Sequence, residues 1–149
     1  FFDMVGYRTP DNVIFLADCL SSMETLDKYQ IGFVYDIAAY IKTLEMVQTL
    51  NAEMFVPSHA EATNDIAPLA QYNIDKVLEI AKKITDLCKD PLCFEMILQK
   101  LFTDYSLTMN FEQYVLVGST VRSYLAWLND TNRINACFEN NMLLWKKNN

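Results

Sequence analysis

"VIFLADCL", residues 13–20, is a run of strand-forming apolar residues that arrives at an aspartate, Asp18. About forty residues later "MFVPSHAEAT", residues 54–63, has the same form and delivers His59, the one histidine of the chain. An apolar run rich in Val, Ile and Phe reads as a buried strand. A polar residue where such a run ends sits where open α/β sheets place their sites. Whether Asp18 and His59 are halves of one site or two unrelated strand ends is the question these stretches raise.

Between them lies a helix. "YDIAAYIKTLEMVQTL" (35–50) sets Ile37, Tyr40, Ile41, Leu44, Val47 and Leu50 at three-and-four spacing, so a helix is expected from Tyr35 or Asp36 to Leu50. Upstream, "VGYRTPDNVIFLAD" holds the turn TPDN, which predicts a hairpin of strands over residues 4–8 and 12–17. Ser22 is placed to cap a short helical turn from Glu24 to Lys28. "EMFVPS" predicts a short strand whose ladder Pro57 stops. A long helix over about residues 64–88, bent near Pro68, comes next.

After Pro91 the pattern changes. "LCFEMILQKLF" and "FEQYVLVGSTVRSYLAWLND" read as helices, and "RINACFENNMLLWKK" reads as a hairpin turning at "ENN". Gly118 inside the second helix costs about 1 kcal/mol against Ala, which suggests a close helix contact there. Strand–helix–strand followed by helix–helix–hairpin predicts a mixed α/β chain in two parts. These are an α/β layer over residues 1–90 and a helical, winged-helix-like unit over 91–149, with Tyr124, Trp127, Phe138 and Trp145 in the latter's core.

Composition narrows the class. With 149 residues, 52% of them hydrophobic, the chain can bury a sizeable core and does not read as disordered. No apolar run approaches the ~18 residues of a membrane span, so no membrane partner is expected. The opening "FFDMVG" has neither the basic region nor the cleavage site of a signal peptide and lacks an initiator Met, which suggests a piece of something longer. Cys19, Cys88, Cys93 and Cys137 are scattered without a CxxC pair, fitting reduced cytoplasmic thiols rather than a disulfide framework or a zinc ribbon. The net charge is −7, and residues 1–72 hold three basic residues (Arg8, Lys28, Lys42) against ten acidic ones. That balance argues against nucleic-acid binding. Arg122, Arg133, Lys146 and Lys147 in the tail could meet an acidic group, but a solvated charged surface is the simpler reading.

At the level of chemistry, Asp18 offers a hard carboxylate able to bridge two cations, and His59 a nitrogen ligand for zinc or iron. Two ligands fall short of the three that a catalytic metal site needs. The plainer readings are a turn or helix cap for Asp18 and a hydrogen-bonded loop histidine for His59. Glu61, two residues on, could orient the imidazole or be a surface carboxylate. Tyr35 and Asp36 could line a cleft, although Asp36 also suits a helix N-cap. Cys19 has no second histidine to activate it and reads as a buried thiol.

Taken together, "DMVGYRTPDNVIFLADCLSS" and "YDIAAYIKTLEMVQTLNAEMFVPSHAEAT" resemble the C-terminal half of metallo-β-lactamase-superfamily hydrolases, over about residues 1–65. There a hairpin ends in "GD", whose aspartate bridges two metal ions; "FLAD" stands in its place, with Ala17 for the usual glycine. A helix then leads to a strand ending in "P-x-H", matched by "PSH". The resemblance implies the C-terminal half of an αββα sandwich, with Asp18 as bridging ligand and His59 as a ligand of the second metal. It implies two zinc ions, with iron or manganese as alternatives, and a small ester, thioester or phosphoester substrate. The signature H-x-H-x-D-H is absent, and the "PGH" histidine that would fall at or just before Phe1 is missing. The expected partner is therefore an N-terminal half carrying the other ligands, or a second copy in a homodimer, and no catalytic residue is assignable in this chain alone. The alternative is a non-catalytic interaction or dimerisation module.

Overall fold

A computed structural model describes residues 5–148. The start of the first expected strand at Met4, and the place of the missing histidine beside Phe1, lie outside the described residues. The chain divides into two compact units, residues 1–30 with 38–77, and residues 31–37 with 78–149.

The first unit is built on a three-stranded sheet, β1 (Gly6–Arg8), β2 (Val13–Ser21) and β3 (Met54–His59), in the order β1-β2-β3. β1 and β2 form the expected hairpin. Thr9 Oγ1 bonds the backbone of Val13, and Asn12 turns the chain at φ 62°, a left-handed conformation that asparagine tolerates. β3 pairs with β2 in parallel, so the chain must cross over between them, which it does through α1 (Met23–Tyr29) and α2 (Ile37–Gln48). Ser22 caps α1 as expected, its hydroxyl accepting the Thr25 N–H at 3.1 Å.

Ile14, Leu16 and Phe55 point to one face of this sheet. They pack with Leu44 and Val47 of α2 and with Ala70 and Ile74 of α3 (Ala67–Leu87). The other face carries Tyr7, Phe15 and Met54, all exposed. This alternation is the period-2 geometry of a strand acting on an almost wholly apolar sequence.

As expected, the in-step ladder ends at Pro57, which pairs with Leu16; the strands pair again only at Ser21 and His59. Two expectations are corrected. β2 does not end at Asp18 but runs on to Ser21. Pro68 does not bend the long helix, because α3 begins at Ala67 and Pro68 falls in its first turn, where the missing N–H has no intrahelical acceptor to lose.

The second unit contains the rest of α3, then α4 (Phe94–Asp104), α5 (Phe111–Asp130) and a hairpin of β4 (Ile134–Glu139) and β5 (Met142–Lys147). Asn140 and Asn141 turn the hairpin at φ 51° and 62°, as a two-residue loop with two left-handed positions requires. Leu92 adds an antiparallel bridge to Trp145 on β5. Gly118 marks the expected close contact, with Phe94 Cζ 3.4 Å from where a Cβ would stand. Tyr124 is buried as expected, but Phe138 is 77% exposed. It shares a strand face with Ile134, and that face is covered only at Ile134, since Ala136 between them is also exposed. No helix among the described residues is long and apolar enough to cross a membrane.

At Gly6 a Cβ would lie 2.8 Å from the Phe15 carbonyl oxygen, which belongs to the paired strand and cannot move aside. Gly6→Ala is therefore expected to lower stability by about 1–3 kcal/mol, read from the urea midpoint. In the second unit, hydrogen bonds from Lys82 and Lys147 hold Asp86 down at about 2, against an ordinary value of 3.8. A carboxyl depressed in the folded state stabilises above its unfolded pKa and loses that contribution as pH falls through the folded one. The stability gap between the parent chain and Asp86→Asn should thus be full above about pH 4 and vanish toward pH 2. A gap that does not change with pH would refute it.

Candidate functional site

The register between β2 and β3 breaks just where the sequence raised its question. Val13 to Leu16 pair in step with Met54 to Pro57, but the next partners are Ser21 and His59. Ala17, Asp18, Cys19 and Leu20 are thus set against Ser58 alone. Extra residues in one strand of a pair bulge outward and re-aim the side chains they carry. Asp18 has the same parity as the buried Ile14, Leu16 and Leu20, so a regular strand would turn it to the core; in the bulge it is exposed instead.

The bulge brings the two candidates together: Asp18 Oδ1 lies 3.3 Å from His59 Nε2. Their side chains are 80% and 57% exposed, so water screens the attraction and the pair contributes little to stability. It is held instead from behind, by hydrogen bonds to the backbone of the two strands. The Ser22 N–H donates to the His59 carbonyl at 2.9 Å, and Ser58 Oγ donates to the Leu16 carbonyl at 3.1 Å. On α3, the Asn73 side-chain amide donates to the Ser21 carbonyl at 2.9 Å, and its oxygen accepts the Ser21 N–H at 3.0 Å. Glu61 is exposed and has no hydrogen bond or ion pair to the imidazole.

Cys19 is half-buried. Burial raises its thiol above the ordinary value, and the neighbouring Asp18 charge adds to the rise, which disfavours the thiolate a nucleophile requires. Burial also pushes Tyr40, on α2, up to about 12, with the nearby Cys19 adding a little.

A carboxylate and an imidazole meeting at one surface point are the donor types of zinc, iron and manganese sites. They are two donors, and among the described residues no group of three or more His, Cys, Asp or Glu side chains could hold a metal ion. The pair therefore fits a share of a metal centre and does not amount to one.

Arg122, Arg133 and Lys147 of the tail are engaged within their own unit. The Arg122 guanidinium lies 3.5 Å from the Phe94 ring centroid and that of Arg133 4.1 Å from Trp127, while Lys147 bonds Asp86 at 3.0 Å. Burial, which disfavours the charged form, lowers the Arg133 pKa.

Asn73 was not singled out from sequence, although a signal was present. It falls at helical spacing between Ala70 and Val77, inside the apolar stripe of α3, where it is 1% exposed. A polar residue in such a stripe must find a partner.

By sequence, no family model and no curated protein matches this chain. By structure, metallo-β-lactamase proteins do. A metallo-β-lactamase family protein from Thermus thermophilus superposes with a TM-score of 0.72 at 10% identity, over 96% of this chain and 44% of its own. A β-lactamase domain protein from Burkholderia ambifaria superposes with a TM-score of 0.69 at 12% identity, again over 96% and 44%. At such identities the likeness shows the fold alone. The chain has the fold of part of these proteins and spans less than half the length of either, in keeping with the partial resemblance of its sequence.

If Asp18 raises the Cys19 pKa by its charge, Asp18→Asn should speed alkylation of Cys19 by iodoacetamide up to a few-fold at pH 8. Peptide mass spectrometry after timed quenching resolves Cys19 from the other three thiols. An unchanged Cys19 rate would contradict the coupling.

Proposed function

We propose that this chain is the C-terminal part of a metal-dependent hydrolase of the metallo-β-lactamase superfamily, and that Asp18 and His59 are its share of a dinuclear centre. The observation that carries the reading is the 3.3 Å approach of Asp18 and His59, the two positions at which the sequence resembles that family's ligands. In this reading Asp18 bridges the two ions and His59 binds the second, with Glu61 as an outer neighbour of the imidazole. Zinc is the proposed metal, and iron or manganese suits the same donors. Such a centre, when filled, lowers the pKa of a bound water and stabilises the oxyanion formed from an ester, thioester or phosphoester. The chain's own contribution is to present one carboxylate and one imidazole, pre-set by backbone, on an exposed rim.

The remaining ligands then come from the partner, an N-terminal half of the same parent protein. The outer sheet face supports this: Tyr7, Phe15 and Met54 form an exposed apolar surface on the face of the sheet opposite its core, and exposed apolar patches mark surfaces that a partner covers. The region 91–149 is read as a winged-helix-like extension, its β4–β5 hairpin serving as the wing. A cytoplasmic setting is proposed from the four free thiols. The second reading is a non-catalytic interaction or dimerisation module, favoured by the almost bare Phe111, 79% exposed, and by Phe138.

Elemental analysis separates the two. A protein extended upstream of residue 1 is expected to retain two metal ions per chain, and to lose one or both on Asp18→Ala with His59→Ala. The present chain should retain far less than one. Full metal retention by the doubly substituted, extended protein would refute the ligand assignment.

A further inference from the structure

We propose that Asn73, backed by Tyr40, is the positioning residue of the Asp18–His59 pair: its amide closes the β2 bulge and so sets where Asp18 stands relative to His59. The inference rests on the reading of that pair as a site.

The backbone of residues 17–20 has fallen out of step with β3, so β3 cannot determine by pairing alone where β2 resumes. The Asn73 amide supplies what a neighbouring strand would. It donates to the Ser21 carbonyl and accepts the Ser21 N–H, the two bonds that a residue directly opposite on an antiparallel strand would exchange with it. The next residue, Ser22, donates to the His59 carbonyl at 2.9 Å. One end of the bulge is therefore anchored to α3 and, one residue later, to the histidine itself. Asp18 lies three residues before that anchor, and Leu16, bonded through its carbonyl to Ser58, holds the other end.

Asn73 is itself fixed. Its amide nitrogen also donates to the Leu69 carbonyl at 2.8 Å, and its oxygen also accepts the Tyr40 hydroxyl at 3.2 Å. The high pKa of Tyr40 keeps that hydroxyl a donor at every physiological pH. Four hydrogen bonds orient an amide that is almost wholly buried, which leaves it a single rotamer and a single flip state. Neither Asn73 nor Tyr40 is in hydrogen-bond contact with Asp18 or His59, so any effect on them passes through the backbone of Ser21 and Ser22.

The test uses the only histidine as its own reporter. The ring proton signals of His59 are recorded by NMR for the parent chain and for Asp18→Asn, then again with Asn73→Ala present in both. The expected result is a clear displacement of the signals by Asp18→Asn in the parent and its loss in the Asn73→Ala background, with the fold retained by circular dichroism. A displacement of equal size in both backgrounds would overturn the proposal, as would no displacement in the parent. Val47→Ala, a core truncation in the same unit, is the control for simple loosening: loss of the displacement there too would also overturn it. Should Asn73→Ala fail to fold, Tyr40→Phe removes one of the four bonds and is expected to diminish the displacement; an undiminished one refutes the assignment. Zinc added to the protein extended upstream of residue 1 separates the two readings. There, a His59 displacement that depends on Asn73 but ignores zinc supports the positioning role while sinking the metal reading alone.

Discussion

The parallel pairing of β2 with β3 and its loss of step after Leu16 is the constraint from which the rest of the first unit follows. Parallel strands require a crossover, and the crossover here runs through α1 and α2, of which α2 lays its apolar side on one face of the sheet. Up to Leu16 the ladder is regular, and side chains alternate between core and open face. Beyond it four residues face one, and the chain is free to carry a carboxylate outward. A regular strand would have aimed Asp18 into an apolar core, where an unpaired charge is not tolerated. The irregularity is thus what makes a polar residue at this position compatible with the fold, and it also places that residue beside His59.

The site is supported mainly by uncharged groups. Asp18 and His59 are exposed enough that their mutual attraction is weak, while the groups behind them are backbone amides, a serine hydroxyl and a buried asparagine. The second unit deals with its charges differently. Arg122 and Arg133 lie over aromatic rings and Lys147 joins Lys82 on Asp86, so these basic residues are engaged within their own unit.

Much of this was legible in the residues. The hairpin at Thr9–Asn12, the Ser22 cap, the α2 stripe and the Asn140–Asn141 turn each depend on neighbours a few positions apart, and local chemistry decides them. Pro68 departs from expectation because proline's cost depends on whether the N–H it lacks would have had a partner, and the first turn of α3 offers none.

The residue order alone settles which side chains can do chemistry: one histidine, and an aspartate and a histidine each delivered by an apolar strand about forty residues apart. It also settles the helix between them, since three-and-four spacing needs no tertiary information. That the two residues meet could not be read there. Their approach depends on how many residues of β2 slip past β3, and that slip is set by Asn73, more than fifty residues from Ser21 in the chain. Phe138 makes the same point, for its strand was foreseeable but not the absence of any cover over its end of the face. Short-range geometry is carried by the order of neighbours, whereas registers and burial are carried by partners that come close only once the chain has folded.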